Sequence, residues 1–445
     1  MFSFIGRNPG LSLIYSFLIL IVCGTLLLKM PASYNGELSW LDSLFTATSA
    51  TCVTGLIVKD TPVDFTRTGQ TIILVLIQLG GLGIMTFSMA IAVLPGKKLD
   101  FTSSSVINQM IDYDNPGYTG TILKKVISLT ITVETIGVIL MIIAFNINGV
   151  EDGLIFDSVF HCISAFCNAG FSTYSDSLMG FSDSLFLNLV VIILIICGGL
   201  GFLVLIEFYS VVRKKLNNIV IKKRFSVQLK VVLSITAMLI LVGFFTVLIF
   251  EQNSTLSDRT FREKIIISAF QSVTARTAGF NTVDISSFTR PALLIFVVLM
   301  FIGAGPGGTA GGIKITTAYV FLKSVVSMVK SSDEVFSFGR KIPSDIVRKA
   351  TAVFFISVCI ICLAIIILSW TESFSLKDII FETVSAFATV GLSTGITPHL
   401  SSAGRVVVII LMFVGRLGPV TLAVAISRKY TRGAYSLPEE KVMIG

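Results

Sequence analysis

The chain of 445 residues is 53% hydrophobic and only 13% charged, with a mean hydropathy of +0.89 and a formal net charge of +8. That balance excludes a soluble protein built around one core and places the chain among integral membrane proteins. Seven cysteines, odd in number and mostly in apolar segments, do not make a disulfide framework. The two histidines, His161 and His399, stand at no metal-ligand spacing, and no catalytic constellation is visible, so an enzyme is not expected.

Eight apolar runs are long enough to cross about 30 Å of hydrocarbon as helices, which takes roughly 20 residues each. They lie near 10–29, 70–95, 121–147, 184–210, 229–250, 291–329, 351–370 and 405–427. The first lacks a small-residue cleavage site and is expected to remain as an anchor rather than to leave as a signal peptide. Eight crossings put both termini on one side, and basic residues decide which side that is. Segments 1–10, 96–125, 211–230, 314–349 and 428–445 hold 23 of the 34 Lys and Arg, so both termini are expected in the cytoplasm of a multi-pass plasma-membrane protein. Sixteen of the 26 Asp and Glu fall in the outer loops, where they either concentrate cations at the mouth or are simply solvated.

Between successive pairs of spans a short polar turn recurs: TCVTGL ending at Leu56, CNAGF at Phe171, RTAGF at Phe280 and TVGL at Leu392. The glycines Gly55, Gly170, Gly279 and Gly391 are 115, 109 and 112 residues apart. Before each turn lies a segment of about a dozen residues, 39–50, 153–166, 263–275 and 376–387, too short to span and suited to a re-entrant pore helix. Three of these carry Ser six residues before the glycine, Ser49, Ser164 and Ser385, whereas the third has Val273. After each turn a second signature keeps register: GGLG from Gly80, GGLG from Gly198, GAG from Gly303 and GRLG from Gly415, at 25, 28, 24 and 24 residues. Two motifs in register in four units mean internal duplication. The expected fold is therefore all-α and membrane-integral, with four tandem helix, pore loop, helix repeats and eight transmembrane helices around one central pore. The repeats are expected at 8–97, 118–216, 226–330 with a broken second helix, and 346–430, followed by a cytoplasmic tail at 431–445.

A bilayer tolerates non-helical backbone at depth only where it lines a water-filled cavity. Four such loops around an axis place backbone carbonyls where they replace the water around a cation. The candidate filter is Val53, Thr54 and Gly55; Asn168, Ala169 and Gly170; Thr277, Ala278 and Gly279; Thr389, Val390 and Gly391. No carboxylate occurs in these turns, which favours a monovalent alkali cation over a calcium-type site. Any one glycine is explained as an ordinary turn residue; four at matched positions are not. Cys52 and Cys167 precede Gly55 and Gly170 by three residues, and their thiols are expected behind the filter. Cys359 and Cys362, a CxxC in an apolar run, read as packing residues.

The sixth span is interrupted by Gly303, Ala304, Gly305, Pro306, Gly307, Gly308, Thr309, Ala310, Gly311 and Gly312. Glycine costs a helix about 1 kcal/mol per residue and proline about 3, so 303–312 is expected to be a loop at membrane depth, a feature that marks an ion path. The stretch also satisfies GxGxxG, but it follows a spanning run rather than a strand, and Ile313 puts Lys314 one place out of register for a phosphate-binding loop. Arg416 lies deep in the last span, where an ionised side chain costs roughly 2.5 to 3.5 kcal/mol unless it is paired or faces a cavity. It is read either as packing on another helix's carbonyls or as an electrostatic barrier at the glycine loop. Glu134, also inside a span, reads as structural. Arg276, before the third turn, is expected to brace its loop against pore-helix carboxylates rather than touch the ion.

Through the four turns, the GGLG segments, FIGAGPGGTAGGIK at 301–314 and FVGRLGP at 413–419, the whole chain resembles the Trk, Ktr and HKT superfamily of cation-translocating subunits, closest to the KtrB type. The resemblance implies a potassium filter at the four glycines, because a serine at the first position goes with sodium selectivity in some plant relatives and Gly55 stands there. It implies a gate made of Gly303, Gly305, Gly307, Gly308, Thr309, Gly311, Gly312 and Lys314 together with Arg416. It further implies a bacterial potassium uptake subunit in membrane lipid, a homodimer with one pore per protomer, and gating by a cytosolic nucleotide-binding regulatory ring of the KtrA or KtrC type. That ring would dock on the basic segments 211–230, with Lys222, Lys223 and Arg224, and 314–349; the C-terminal SLPEEKVMIG is a further candidate contact. Potassium is the implied ion, sodium as an activator is left open, and neither an organic cofactor nor nucleic acid is expected. A potassium symport with sodium or protons by alternating access is the alternative function.

Overall fold

A computed structural model describes residues 9–93, 119–216, 225–332 and 334–418. Four times the chain repeats one sequence of elements. The first unit is α1 (Pro9–Leu28), the short α2 (Trp40–Thr51) and α3 (Arg67–Val93); the second is α4 (Thr119–Ile147), the short α5 (Leu154–Cys167), then α6 (Leu185–Leu200) and α7 (Phe202–Leu216). The third is α8 (Val227–Phe250), the short α9 (Phe261–Thr274), then α10 (Arg290–Phe301) and α11 (Ile315–Val329); the fourth is α12 (Ser344–Thr371), the short α13 (Leu376–Ala388) and α14 (Ser402–Leu417). The strands β1 (Val335–Ser337) and β2 (Arg340–Ile342) form a hairpin between the third and fourth units, turning on Phe338 and Gly339, both with positive φ.

Among the described residues four helices are long and apolar enough to cross a membrane, Leu11–Leu28, Lys124–Ile147, Val227–Phe250 and Ser344–Thr371, or five if one bent pair counts as a single span. These four are the first helices of the four units. They turn large apolar side chains outward, among them Leu26, Ile139, Leu241 and Ile366, while the short helices at the centre bury Thr, Ser and Gln. Apolar outside with polar inside is the arrangement of a protein solvated by lipid around a polar axis.

The second helices depart from the simple expectation. The run 184–210 is not one span: it stops at Leu200, Gly201 takes φ +92°, and the helix resumes at Phe202 bent by 107°. The run 291–329 breaks as the glycines require, helical to Phe301 and again from Ile315. In the fourth unit α14 ends at Leu417 with Gly418 at φ +82°, the counterpart of Gly201. Lys222, Lys223 and Arg224, the tail 431–445 and the ends of the expected repeats beyond residues 93 and 418 lie outside the described residues.

The short helices begin with local signals. Ser39 and Asp42 cap each other reciprocally at the start of α2, as Thr260 and Glu263 do at α9, and Ser375 accepts from the Asp378 amide at α13. Two ion pairs join neighbouring units in the same way. Arg67, at the start of α3, reaches Asp157 on α5 at 3.2 Å, and Arg405, near the start of α14, reaches Asp42 on α2 at 2.5 Å. The fourth unit is thereby clasped to the first.

Candidate ion pathway

Each short helix ends in a turn whose backbone reverses hand twice. Two residues before each glycine stands a side-chain-bearing residue at positive φ, Val53 at 57°, Asn168 at 60°, Thr277 at 70° and Thr389 at 50°. The glycines themselves lie at 91°, 70°, 81° and 90°. Carbonyls of an ordinary extended chain alternate sides; reversing the sign of φ at every second residue removes that alternation and lets successive carbonyls face one way. Non-glycine residues in the left-handed region cost of order 1–3 kcal/mol each, and here the cost recurs at four matched positions.

The four turns close on one another. A Cβ placed on Gly55 would strike the carbonyl oxygen of Ala169; on Gly170, that of Ala278; on Gly279, that of Val390; and on Gly391, that of Thr54. The cycle returns to its start, so the carbonyl preceding each glycine rests against the glycine of the adjoining unit. No side chain, not even a methyl group, fits in this ring. Behind it, the amides of Thr54, Ala169, Ala278 and Val390 bond back into their own short helices, at 2.8, 2.7, 3.0 and 2.9 Å. The short helices thus aim their C-terminal ends, the negative ends of their dipoles, at the ring, which favours a cation there.

Serine holds the turns as its register suggested, with one correction. Ser49 Oγ accepts from the Gly55 amide at 3.1 Å and donates to the Leu56 carbonyl at 2.7 Å; Ser385 Oγ accepts from the Gly391 amide at 3.2 Å; Ser164 Oγ donates to the Phe171 carbonyl at 2.8 Å. In the third turn Thr274 does this work, donating to the Phe280 carbonyl at 2.6 Å. The third turn is one residue tighter, so its hydroxyl sits one place later than Val273.

The glycines of the second signature serve packing. At Gly80, Gly198 and Gly415 a Cβ would run into the carbonyl oxygens of Thr51, Phe166 and Phe387, each four residues before a turn glycine. Cys52 is fully buried, and Cys167 lies against Gly81 with its thiol donating to Gln78 Oε1 at 3.4 Å, behind the turn. Gln78 in turn donates to Glu134 at 2.9 Å. Cys359 and Cys362 are exposed on the outer surface of α12, so their expected packing role inside the protein is not what the structure shows.

Residues 303–312 fold into an irregular loop packed against the residues behind the ring. The Gly303 amide bonds to the Ile313 carbonyl at 2.9 Å, the Gly305 amide to the Gly199 carbonyl at 2.8 Å, and the Phe202 amide to the Gly307 carbonyl at 3.1 Å. The break at Gly201 therefore exists to meet this loop. Gly308 lies against the carbonyls of Gly198 and Gly199, and Gly311 and Gly312 press on Thr389 and Ala388. Thr309 is fully buried, with its hydroxyl donating to the Phe166 carbonyl at 3.2 Å. Arg416 donates to the Thr309 carbonyl and, at 2.8 Å, to the Gly80 carbonyl, while Lys314 folds back on the Ala310 carbonyl. The structure thus brings the candidate gate residues together in one cluster against the ring. Arg276 corrects its expectation: among the described residues it bonds no carboxylate but donates to the carbonyls of Gly303 and Thr236 at 3.1 and 3.4 Å. The two inter-unit ion pairs had no signal in local spacing; the repeated Arg at the head of the second helix, Arg67, Arg290 and Arg405, was the available clue.

Comparison with known proteins bears on this arrangement. The family described as TrkH, cation transport protein, matches residues 6–436. The Ktr system potassium uptake protein B of Bacillus subtilis is 40% identical over 441 residues, covering 98% of this chain and 97% of the relative. The potassium/sodium uptake protein NtpJ of Enterococcus hirae is 37% identical over 439 residues, covering 96% and 95%. The crystal structure of the potassium transporter TrkH from Vibrio parahaemolyticus superposes with a TM-score of 0.72 at 19% identity, over 95% of this chain and 85% of that one, which shows a shared fold. A ring closed by four duplicated turns inside a shell of apolar helices, matched along nearly its whole length by these relatives, makes this chain a multi-pass membrane protein of the TrkH family of cation transport proteins.

Proposed function

We propose that this chain moves potassium ions into the cell through a single pore, as the channel-like subunit of a Ktr-type uptake system. The observation that carries the reading is the closed cycle in which each turn glycine meets the carbonyl that precedes the next. Backbone oxygens without a carboxylate suit a weakly hydrated monovalent cation, and relatives at 40% and 37% identity are named for potassium and for potassium with sodium. Val53, Thr54, Asn168, Ala169, Thr277, Ala278, Thr389 and Val390 would present the carbonyls, and the plug at 303–312 with Lys314 and Arg416 would be the gate.

Regulation from the cytosol fits the same side of the molecule. Lys330, Arg340, Lys341, Arg348 and Lys349 are exposed around the hairpin, beside exposed Met328, Val329 and Phe336. A basic rim with apolar spots is a docking surface for a soluble subunit such as a nucleotide-binding ring, and the naming of the B. subtilis relative as one part of a system supports a second component. Both termini would face the cytoplasm, and two protomers would each carry their own pore.

Gly55→Ser tests the filter. The new side chain must sit at φ +91° against the Ala169 carbonyl, strain of about 1–3 kcal/mol that displaces one carbonyl of the ring. Potassium uptake measured against competing sodium should lose at least about tenfold in preference, equivalent to about 1.4 kcal/mol. Unchanged competition at normal protein levels refutes the filter assignment. The E. hirae relative, named for both ions, favours potassium symport as the second reading; uphill potassium movement in vesicles driven by a sodium gradient alone would establish it.

A further inference from the structure

The third unit differs from the others at its turn. Arg276 is the only charged residue in any of the four turns, and its side chain is buried. In the first and fourth units a serine of the short helix holds the turn glycine by its amide, but Val273 stands at that register in the third. Thr274 holds the Phe280 carbonyl there, and no side-chain hydroxyl among the described residues is seen holding the Gly279 amide; Arg276 runs inward beside it. Its guanidinium donates to the carbonyl of Gly303, at the start of the loop, and to that of Thr236 on α8. Thr277, the next residue, holds one of the four left-handed positions of the ring. A small cavity of about 20 Å³, lined by Gly199, Val273, Ala304 and Arg276 among others, lies beside this contact.

We infer that Arg276 is a positioning residue that couples the plug to the ring: the conformation of loop 303–312 sets the geometry of the third turn, so opening the gate and selecting the ion are linked through this unit. The inference rests on the filter and gate readings above. Because the arginine spans carbonyls on two different segments, the loop and α8, its planar fork is needed; lysine, with a single ammonium group, holds one of them.

The experiment is a double-mutant cycle on reconstituted full-length protein, reading potassium flux and potassium-over-sodium preference together. Four chains are compared: the parent, Arg276→Gln, a chain shortened within 303–312 so that the Gly303 contact is lost, and the combination. Arg276→Gln should lower the preference about tenfold and raise flux in the parent, yet change neither further in the shortened chain, because its partner is already gone. Arg276→Lys should restore part of the preference, and it serves as the test where the Gln variant fails to insert. Additive effects in the cycle, or parent-like preference in both variants, overturn the coupling. If the shortened chain alone keeps parent flux, or Gly55→Ser keeps parent competition, the gate or filter reading fails and the coupling with it. If both controls respond and Arg276 does not, the coupling alone fails.

Discussion

Replacing Arg416 with alanine probes the plug most directly. In the closed arrangement this side chain makes two charge-assisted hydrogen bonds, to the carbonyls of Thr309 in the plug and Gly80 on α3. Bonds to a charged group contribute about 1.5–3 kcal/mol each, so the pair holds the plug by roughly 3 to 6 kcal/mol before its cost is counted. That cost is the charge held at membrane depth, roughly 2.5 to 3.5 kcal/mol, part of which is recovered when the plug withdraws and water reaches the guanidinium. The mid-range values, about 4.5 less about 3 kcal/mol, leave about 1.5 kcal/mol in favour of the closed plug, roughly tenfold in the open population. Arg416→Ala should therefore raise potassium uptake by potassium-depleted cells by about that factor and make it less dependent on the regulatory partner. Preference against sodium should fall with it, since the Gly303 end of the released loop is tied to the third turn through Arg276. Parent-like flux from a protein inserted at normal levels would refute the reasoning.

Ser49→Ala removes the hydroxyl that joins the Gly55 amide to the Leu56 carbonyl; leaving both groups unpaired costs about 1–3 kcal/mol, and potassium preference should fall several-fold in the same competition assay while protein levels hold. Asp284, in the loop between α9 and α10, accepts from the Ser286 amide and from the Ser286 and Ser287 hydroxyls; burial alone would raise its pKa, but these bonds outweigh it and hold the carboxyl below the ordinary carboxylate value. A lowered folded-state pKa contributes stability above the unfolded pKa and loses it as pH falls through the folded one, so amide-exchange protection at 285–288 should persist through the ordinary carboxylate range and fall only below it, and Asp284→Asn should abolish that dependence.

The four turn glycines were readable because duplication repeats them at almost one period and because only glycine fits where two backbones meet. The same logic failed at Val273, since a turn tightened by one residue moves the hydroxyl to Thr274 and no periodicity registers a one-place shift. Hydropathy read 184–210 as continuous because Leu200 and Phe202 are equally apolar; the break belongs to Gly201 and to a hydrogen bond from Phe202 across to Gly307, a partner 105 residues away. Arg276 was assigned carboxylates because those are the obvious partners in a sequence. The carbonyls it uses belong to Gly303 at the break and to Thr236 on the adjoining α8, a neighbourhood that spacing does not display. The inter-unit pair Arg405 with Asp42 was invisible for the same reason, lying 363 residues apart.

That last pair has a consequence for synthesis. Arg67 meets Asp157 across 90 residues and Arg405 meets Asp42 across 363, yet loop closure grows only with the logarithm of length, so the longer closure costs about 1.2 kcal/mol more. The penalty is small, but the timing is not: a nascent chain carries three of its four turns into the bilayer before the residue that clasps the last unit to the first has left the ribosome. Until then the Thr54 carbonyl of the first turn and Gly279 of the third face no neighbour, and the ring has a missing side. A half-made protein is therefore an open arc of hairpins, and the ring comes into being only when the circle is completed.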